Sequence, residues 1–153
     1  MKILTFLAAV LISESSYAAI NCTQEAETAL HFVNQYIAHI ESTSSRQVQP
    51  NVFDWLKSNK LSSPSLAVAY KKLEAEGLKE EPEMGWGFDI IIDGQDYPEK
   101  GYKKYQCMNK NGFVHLQDPI HGYKTTVRVE LTSSGFKVVG SGIVNIPKNM
   151  ILR

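Results

Sequence analysis

"YKTTVRVELTSSGFKVVGSGIVNI", residues 123–146, decides between a helical and a β-rich reading of this chain. Val127, Val129 and Leu131 alternate with Thr126, Arg128 and Glu130, the period of a strand with one buried face. Ser134-Gly135 supplies a turn, and the residues from Phe136 to Ile146 read as the returning strand. A second hairpin lies just upstream. "YKKYQCM" (102–108) and "FVHLQD" (113–118) flank Asn109-Lys110-Asn111-Gly112, and Asn-Gly tolerates the positive φ of a tight hairpin turn.

Before these strands the period is helical. In "TQEAETALHFVNQYIAHIE" (23–41), Ala26, Ala29, Leu30, Val33, Ile37 and Ile40 recur at intervals of three and four. Asn21 or Thr23 can cap the start, with Glu25 and Glu27 in the first turn, where the helix dipole favours anions. A polar stretch, "STSSRQVQPN" (42–51), interrupts the pattern. "NVFDWLKSN" (51–59) predicts a short helix with Asn51 as cap and Val52, Phe53, Trp55 and Leu56 on its apolar side. "LSSPSLAVAYKKLEAEG" (61–77) predicts another, with Ser63 as N-cap, Pro64 at the first position, a stripe of Leu66, Ala69, Tyr70 and Leu73, and Gly77 as terminator. Helices first and strands second mean segregated α+β: N-terminal helices packed on a curved, mainly antiparallel sheet.

The N-terminus predicts export. Lys2 precedes an apolar stretch from Ile3 to Ile12, and Ser16-Tyr17-Ala18 supplies small residues where signal peptidase reads them. Residues 1–18 are therefore expected to be a Sec-type signal peptide cleaved after Ala18, and residues 19–153 a single periplasmic domain. The apolar stretch is too short to span a bilayer core of roughly 30 Å. The chain carries sixteen Lys and Arg against sixteen Asp and Glu. That balance argues against nucleic acid, which needs a surplus of cations on one face, and against a polybasic membrane patch. Cys22 and Cys107, the two cysteines, are expected to form a disulfide in an oxidising compartment. The bond would tie the start of the first helix to the strand around Tyr105 to Met108.

This order of elements resembles the NTF2-like or cystatin-like cone, and more narrowly a family of small exported bacterial domains with that fold. The resemblance rests on Leu61 with the helix from Pro64 to Glu76, on "FDIIIDGQDYP" (88–98), and on the closing pair of strands. It departs in the last strand, where Phe136 and two glycines replace a bulkier, Trp-containing segment. The resemblance implies a binding module. Some proteins of this size and shape are immunity proteins that neutralise wall-degrading toxins, and others take small ligands in the cone.

"GFDIIIDGQDYPEKGY" (87–102) is the candidate site. Its isoleucines and Gly94 predict a strand entering a turn, with Asp89 and Asp93 on one side. The acids lack the register of a calcium loop, and Asp93-Gly94 is ordinary turn chemistry. His31, His39, His115 and His121 have no metal-ligand spacing. No nucleophile elbow or phosphate loop is present. No cofactor, metal or catalytic residue is expected. The leading expectation is a non-enzymatic binding protein that presents Asp93, Gln95, Asp96, Tyr97 and Tyr102, with Glu99, to a protein partner such as a secreted wall hydrolase. Trp86 joins that set, and a second copy of the chain is a further candidate partner. The alternatives are a small-ligand pocket lined by Trp86, Phe88 and Tyr105, or an acid–base enzyme using Asp89 or Asp96 with Tyr97.

Overall fold

A computed structural model describes residues 22–47, 49–108 and 111–152. The expected signal peptide and the Asn21 cap lie outside the described residues. Three helices, α1 (Thr23–Ser44), α2 (Val52–Ser58) and α3 (Pro64–Glu80), precede four strands: β1 (Lys104–Cys107), β2 (Phe113–Gln117), β3 (Lys124–Thr132) and β4 (Gly135–Ser141). The strands form an antiparallel meander in the order β1-β2-β3-β4. The sheet is open rather than closed into a cone. α1 lies across one face of the sheet and touches all four strands, while α2 and α3 pack on each other and α3 reaches β4.

The apolar stripe of α1 enters the core as its spacing requires. Ala26, Ala29, Val33 and Ile37 are buried, joined by Phe32 and Tyr36 on the flank of the stripe. Leu30 and Ile40 sit at its edge. α2 begins as expected, with the Asn51 side chain accepting from the Asp54 N–H at 3.0 Å. α3 does the same through Ser63, which accepts from Leu66 N–H at 3.1 Å, with Pro64 next in line.

Gly77 does not end α3. The helix continues to Glu80, and the glycine serves packing instead: a Cβ at Gly77 would overlap the indole of Trp86. Glycine in a helix interior costs about 1 kcal/mol relative to Ala, and here it makes room for a large ring.

The hairpins differ from expectation at their ends. Val127 and Val129 are buried, but Leu131, at 71% exposure, lies beyond the cover of α1 near the tip of the β3–β4 hairpin. A bulge between Arg128 and Val129 interrupts the register. β4 stops at Ser141, and the chain does not continue as strand to Ile146. Gly142 adopts φ +61°, and a Cβ there would overlap the backbone of Ile90 and Ile91. The approach is that close because the segment after β4 holds a loop in place.

That loop is residues 89–94, where a strand was expected. Backbone bonds join Asp89 and Gly94 in both directions, at 2.9 and 3.2 Å, and the residues between them form a turn. The reason is burial. Ile90, Ile91 and Ile92 are all buried, which a strand with alternating sides on a sheet edge would not allow. Each fully buried isoleucine contributes about 2 kcal/mol over leaving it in water. The turn is closed by Asp93 at φ +54°, a conformation that Asp tolerates better than most residues. The loop is fastened from behind: Ser141 Oγ donates to the Ile91 carbonyl at 2.7 Å and Ile143 N–H to the Ile90 carbonyl at 3.0 Å.

The disulfide joins Cys22, at the start of α1, to Cys107 in β1 across a sequence separation of 85. Replacing both cysteines by serine is expected to lower stability by about 2–5 kcal/mol, with a loop of this length toward the upper end. Urea denaturation of the oxidised protein, the reduced protein and the double variant measures the loss.

Candidate functional site

Of the three aspartates in residues 87–102, Asp89 lines a cavity between α1 and α3. Asp89 sits where the loop meets α1. Its Oδ1 accepts the Ile91 N–H at 2.8 Å and the Ile92 N–H at 3.3 Å, and its Oδ2 accepts the Tyr36 hydroxyl at 2.5 Å. Two backbone donors at positions two and three residues on make the side chain a local turn former. The tyrosine bond has the short distance of a charge-assisted O–H···O⁻ contact. Asp118, between β2 and β3, uses the same device on Ile120 and His121.

The two aspartates differ in charge balance. For Asp89, burial dominates and raises its carboxyl above the ordinary range, although Tyr36 and the two N–H groups pull the other way. For Asp118, desolvation also opposes the charge, but the N–H groups of His121 and Ile120 and the His121 ring outweigh it, so the carboxyl is held below the ordinary range. Asp89 is thus a carboxylate kept in an environment that resists its charge. Groups of that kind concentrate at functional sites.

The cavity beside Asp89 has a volume of about 290 Å³ and lies between α1, α3 and residues 84–90. Tyr36 and Ile40 reach it from α1, and Tyr70, Glu74 and Leu78 from α3. Gln49, Pro50 and Val52 close one side, and Met84, Trp86 and Phe88 another. A second phenol–carboxylate pair stands here: the Tyr70 hydroxyl donates to Glu74 Oε1 at 2.8 Å. Burial raises both phenols, and the neighbouring carboxylates raise them further, so both stay protonated as donors. Trp86 is 39% exposed and anchored by its Nε1–H donating to the Leu73 carbonyl at 2.7 Å. Its ring tilts against Phe88 at 6.4 Å, making an aromatic wall. Behind Tyr36, the Trp55 ring lies 5.3 Å away and stacks in turn on His39.

No family model, curated protein or solved structure matches this chain. Function is therefore read from the geometry. Among the described residues, no group of three His, Cys, Asp or Glu is placed to hold a metal ion. No helix among them is long and apolar enough to cross a membrane.

The residues expected from the sequence are divided by the structure. Trp86 and Phe88 line the cavity, but Tyr105 does not: it is exposed on β1 beside a separate recess. Asp93 forms the turn. Gln95 and Asp96 are exposed and do not line the cavity with Asp89; Gln95 Nε2 donates to the Gly87 carbonyl at 3.3 Å. Asp96 does not join Asp89 in the cavity lining. Tyr97 is half-buried against the core, and Tyr102, at 3% exposure, is inside it. The Tyr102 backbone is clamped by Asn34 of α1, whose side chain accepts its N–H at 2.8 Å and donates to its carbonyl at 3.0 Å. The histidines are scattered: His31 and His121 are exposed, while His39 and His115 are half-buried on different elements.

Sequence reasoning missed Tyr36 and Glu74. Tyr70 and Glu74 did carry a signal, since residues four apart share a helical face. Tyr36 and Asp89 carried none, because they meet only through the tertiary fold.

The raised Asp89 carboxyl has a defined consequence for pH. The folded protein keeps a proton that the unfolded chain has lost, so stability from this group falls as pH climbs above 3.8 and levels off once the folded carboxyl has ionised. Asp89→Asn keeps an acceptor for the two N–H groups and removes that slope. Relative to the parent, the variant is expected to gain stability as pH rises above 4, up to the point where the folded carboxyl has ionised. The direction of the change follows from burial raising the folded carboxyl. Urea midpoints across that range measure it.

Proposed function

We propose that this chain is an exported, non-catalytic binding domain, NTF2-like or cystatin-like in type, that takes a small organic ligand in the cavity between α1, α3 and residues 84–90. The cavity carries this reading. At about 290 Å³ it stands near the lower end of small-molecule sites, and it combines an aromatic and aliphatic lining with a few fixed polar groups. The Trp86 indole, anchored by a hydrogen bond and partly exposed, offers an aromatic face to a guest. The disulfide supports export, since such bonds persist in oxidising compartments. Catalysis has less support, because both oxygens of Asp89 are already committed to hydrogen bonds within the protein.

Ligand-observed NMR with a library of small aromatic and aliphatic fragments, followed by protein spectra of each binder, tests the reading. Binders are expected to shift the indole N–H signal of Trp86, leave that of Trp55 in place, and lose at least about tenfold in affinity in Trp86→Ala. Fragments that bind without moving the Trp86 signal would sink it.

A second reading, an immunity or inhibitor protein presenting residues 93–102, is favoured by the exposure of Gln95, Asp96 and Glu99 on one short segment. Its aromatic anchors are weaker than expected, as Tyr102 is consumed by the core. Under this reading, cells lacking the protein become more sensitive to competing bacteria, and Gln95→Ala with Asp96→Ala reproduces the loss. Unchanged sensitivity of the deletion strain removes it.

A further inference from the structure

The cavity shows a bias in its hydrogen-bonding groups that narrows the ligand. Three of the side-chain donors in its wall are spent within the protein. The Tyr36 hydroxyl is given to Asp89, the Tyr70 hydroxyl to Glu74 and the Trp86 N–H to the Leu73 carbonyl. What these groups leave available to a guest is acceptor capacity: the phenol oxygens, the Glu74 carboxylate, and Asp89 Oδ2, which takes one donor where Oδ1 takes two. Among the described residues, Gln49 is the one lining side chain with an amide to offer.

Charge points the same way. Asp89 and Glu74 line the cavity, and no lysine, arginine or histidine among the described residues lines it. Asp89 and Glu74 both lie close enough to Tyr36 and Tyr70 to disfavour ionisation of those phenols. A ligand carboxylate or phosphate would meet two negative groups and few free donors, in a partly enclosed space where repulsion is less screened than in water. A neutral hydrocarbon would fill the space and leave the acceptors unmatched.

The wall adds a third feature. Trp86 presents its ring at the rim, next to Phe88, and an indole face is the best aromatic partner for a cation. Met84 and Leu78 complete an apolar surface suited to a short hydrocarbon body.

From this combination we infer that the cavity selects a small organic cation, an amine or quaternary ammonium on a compact apolar body, with its charge between Glu74, Asp89 and the Trp86 ring. The inference rests on the ligand-pocket reading and specifies its ligand class.

Calorimetric titration of the disulfide-bonded protein tests it with four probes of similar size: phenethylamine, benzyltrimethylammonium, 2-phenylethanol and 3-phenylpropanoate. Both cations are expected to bind about tenfold or more tightly than the neutral alcohol, and the carboxylate to bind weakest. Glu74→Gln, at an exposed position and retaining an acceptor for Tyr70, is expected to narrow the preference for phenethylamine over the alcohol by about two- to fivefold. The affinity for the alcohol itself should stay the same. Trp86→Ala weakens all probes that bind.

If the alcohol binds as tightly as phenethylamine, and both still shift the Trp86 indole signal, the pocket stands and the cation preference is overturned. Tighter binding of 3-phenylpropanoate overturns it equally. If no probe moves the Trp86 signal, the cation inference and the ligand-pocket reading fall together.

Discussion

The Asp89 carboxylate is the interaction from which most of the surrounding structure follows. Its two oxygens take three donors from two parts of the chain: the Ile91 and Ile92 amides of its own loop and the Tyr36 hydroxyl of α1. The amide bonds set the curvature that turns three consecutive isoleucines inward. The tyrosine bond sets the distance between loop and helix. With both in place, the loop becomes one side of a cavity instead of one more strand. Its back is held by Ser141 and Ile143, so the end of the sheet and the middle of the first helix are linked through this one short loop.

This arrangement carries an electrostatic cost that the hydrophobic term offsets. Burial works against the Asp89 charge, while Ile90, Ile91 and Ile92 together bring several kcal/mol of apolar burial. The loop therefore stays closed although its central polar group would prefer water. Such an imbalance, a buried charge supported by neighbouring apolar burial, leaves a group able to respond to what enters the cavity.

Much of the secondary structure was legible because it depends on local rules. Ser63-Pro64 and Asn51 begin their helices through capping geometry, and Val127 with Val129 face the core through simple alternation. The pairing of Cys22 with Cys107 was expected from a count of two in a chain read as exported. The errors came where tertiary packing overrode local preference. Gly77 reads as a helix stop, yet Trp86, further along the chain, needs the space beside it. "DIII" reads as strand, yet all three isoleucines find burial only in a turn. Leu131 continues the alternation past the point where α1 covers the sheet. The site was half legible for the same reason: Trp86, Phe88 and Asp89 lie together in sequence, but Tyr36 and Glu74 arrive from helices well before them.

The bond between Cys22 and Cys107 has a consequence for how the chain comes into being. A chain made and delivered from its N-terminus presents Cys22 first, and its partner emerges only after all three helices and the 89–94 loop have passed. Cys22 is therefore an unpaired thiol for most of that interval, open to mixed disulfides with small thiols or with other chains. The first turn of α1 cannot be covalently secured until Cys107, at the end of β1, is present. Closure of the bond is therefore subject to thiol exchange as well as to the stability of the fold, and Ser141 and Ile143, which hold the 89–94 loop from behind, follow Cys107 in the chain.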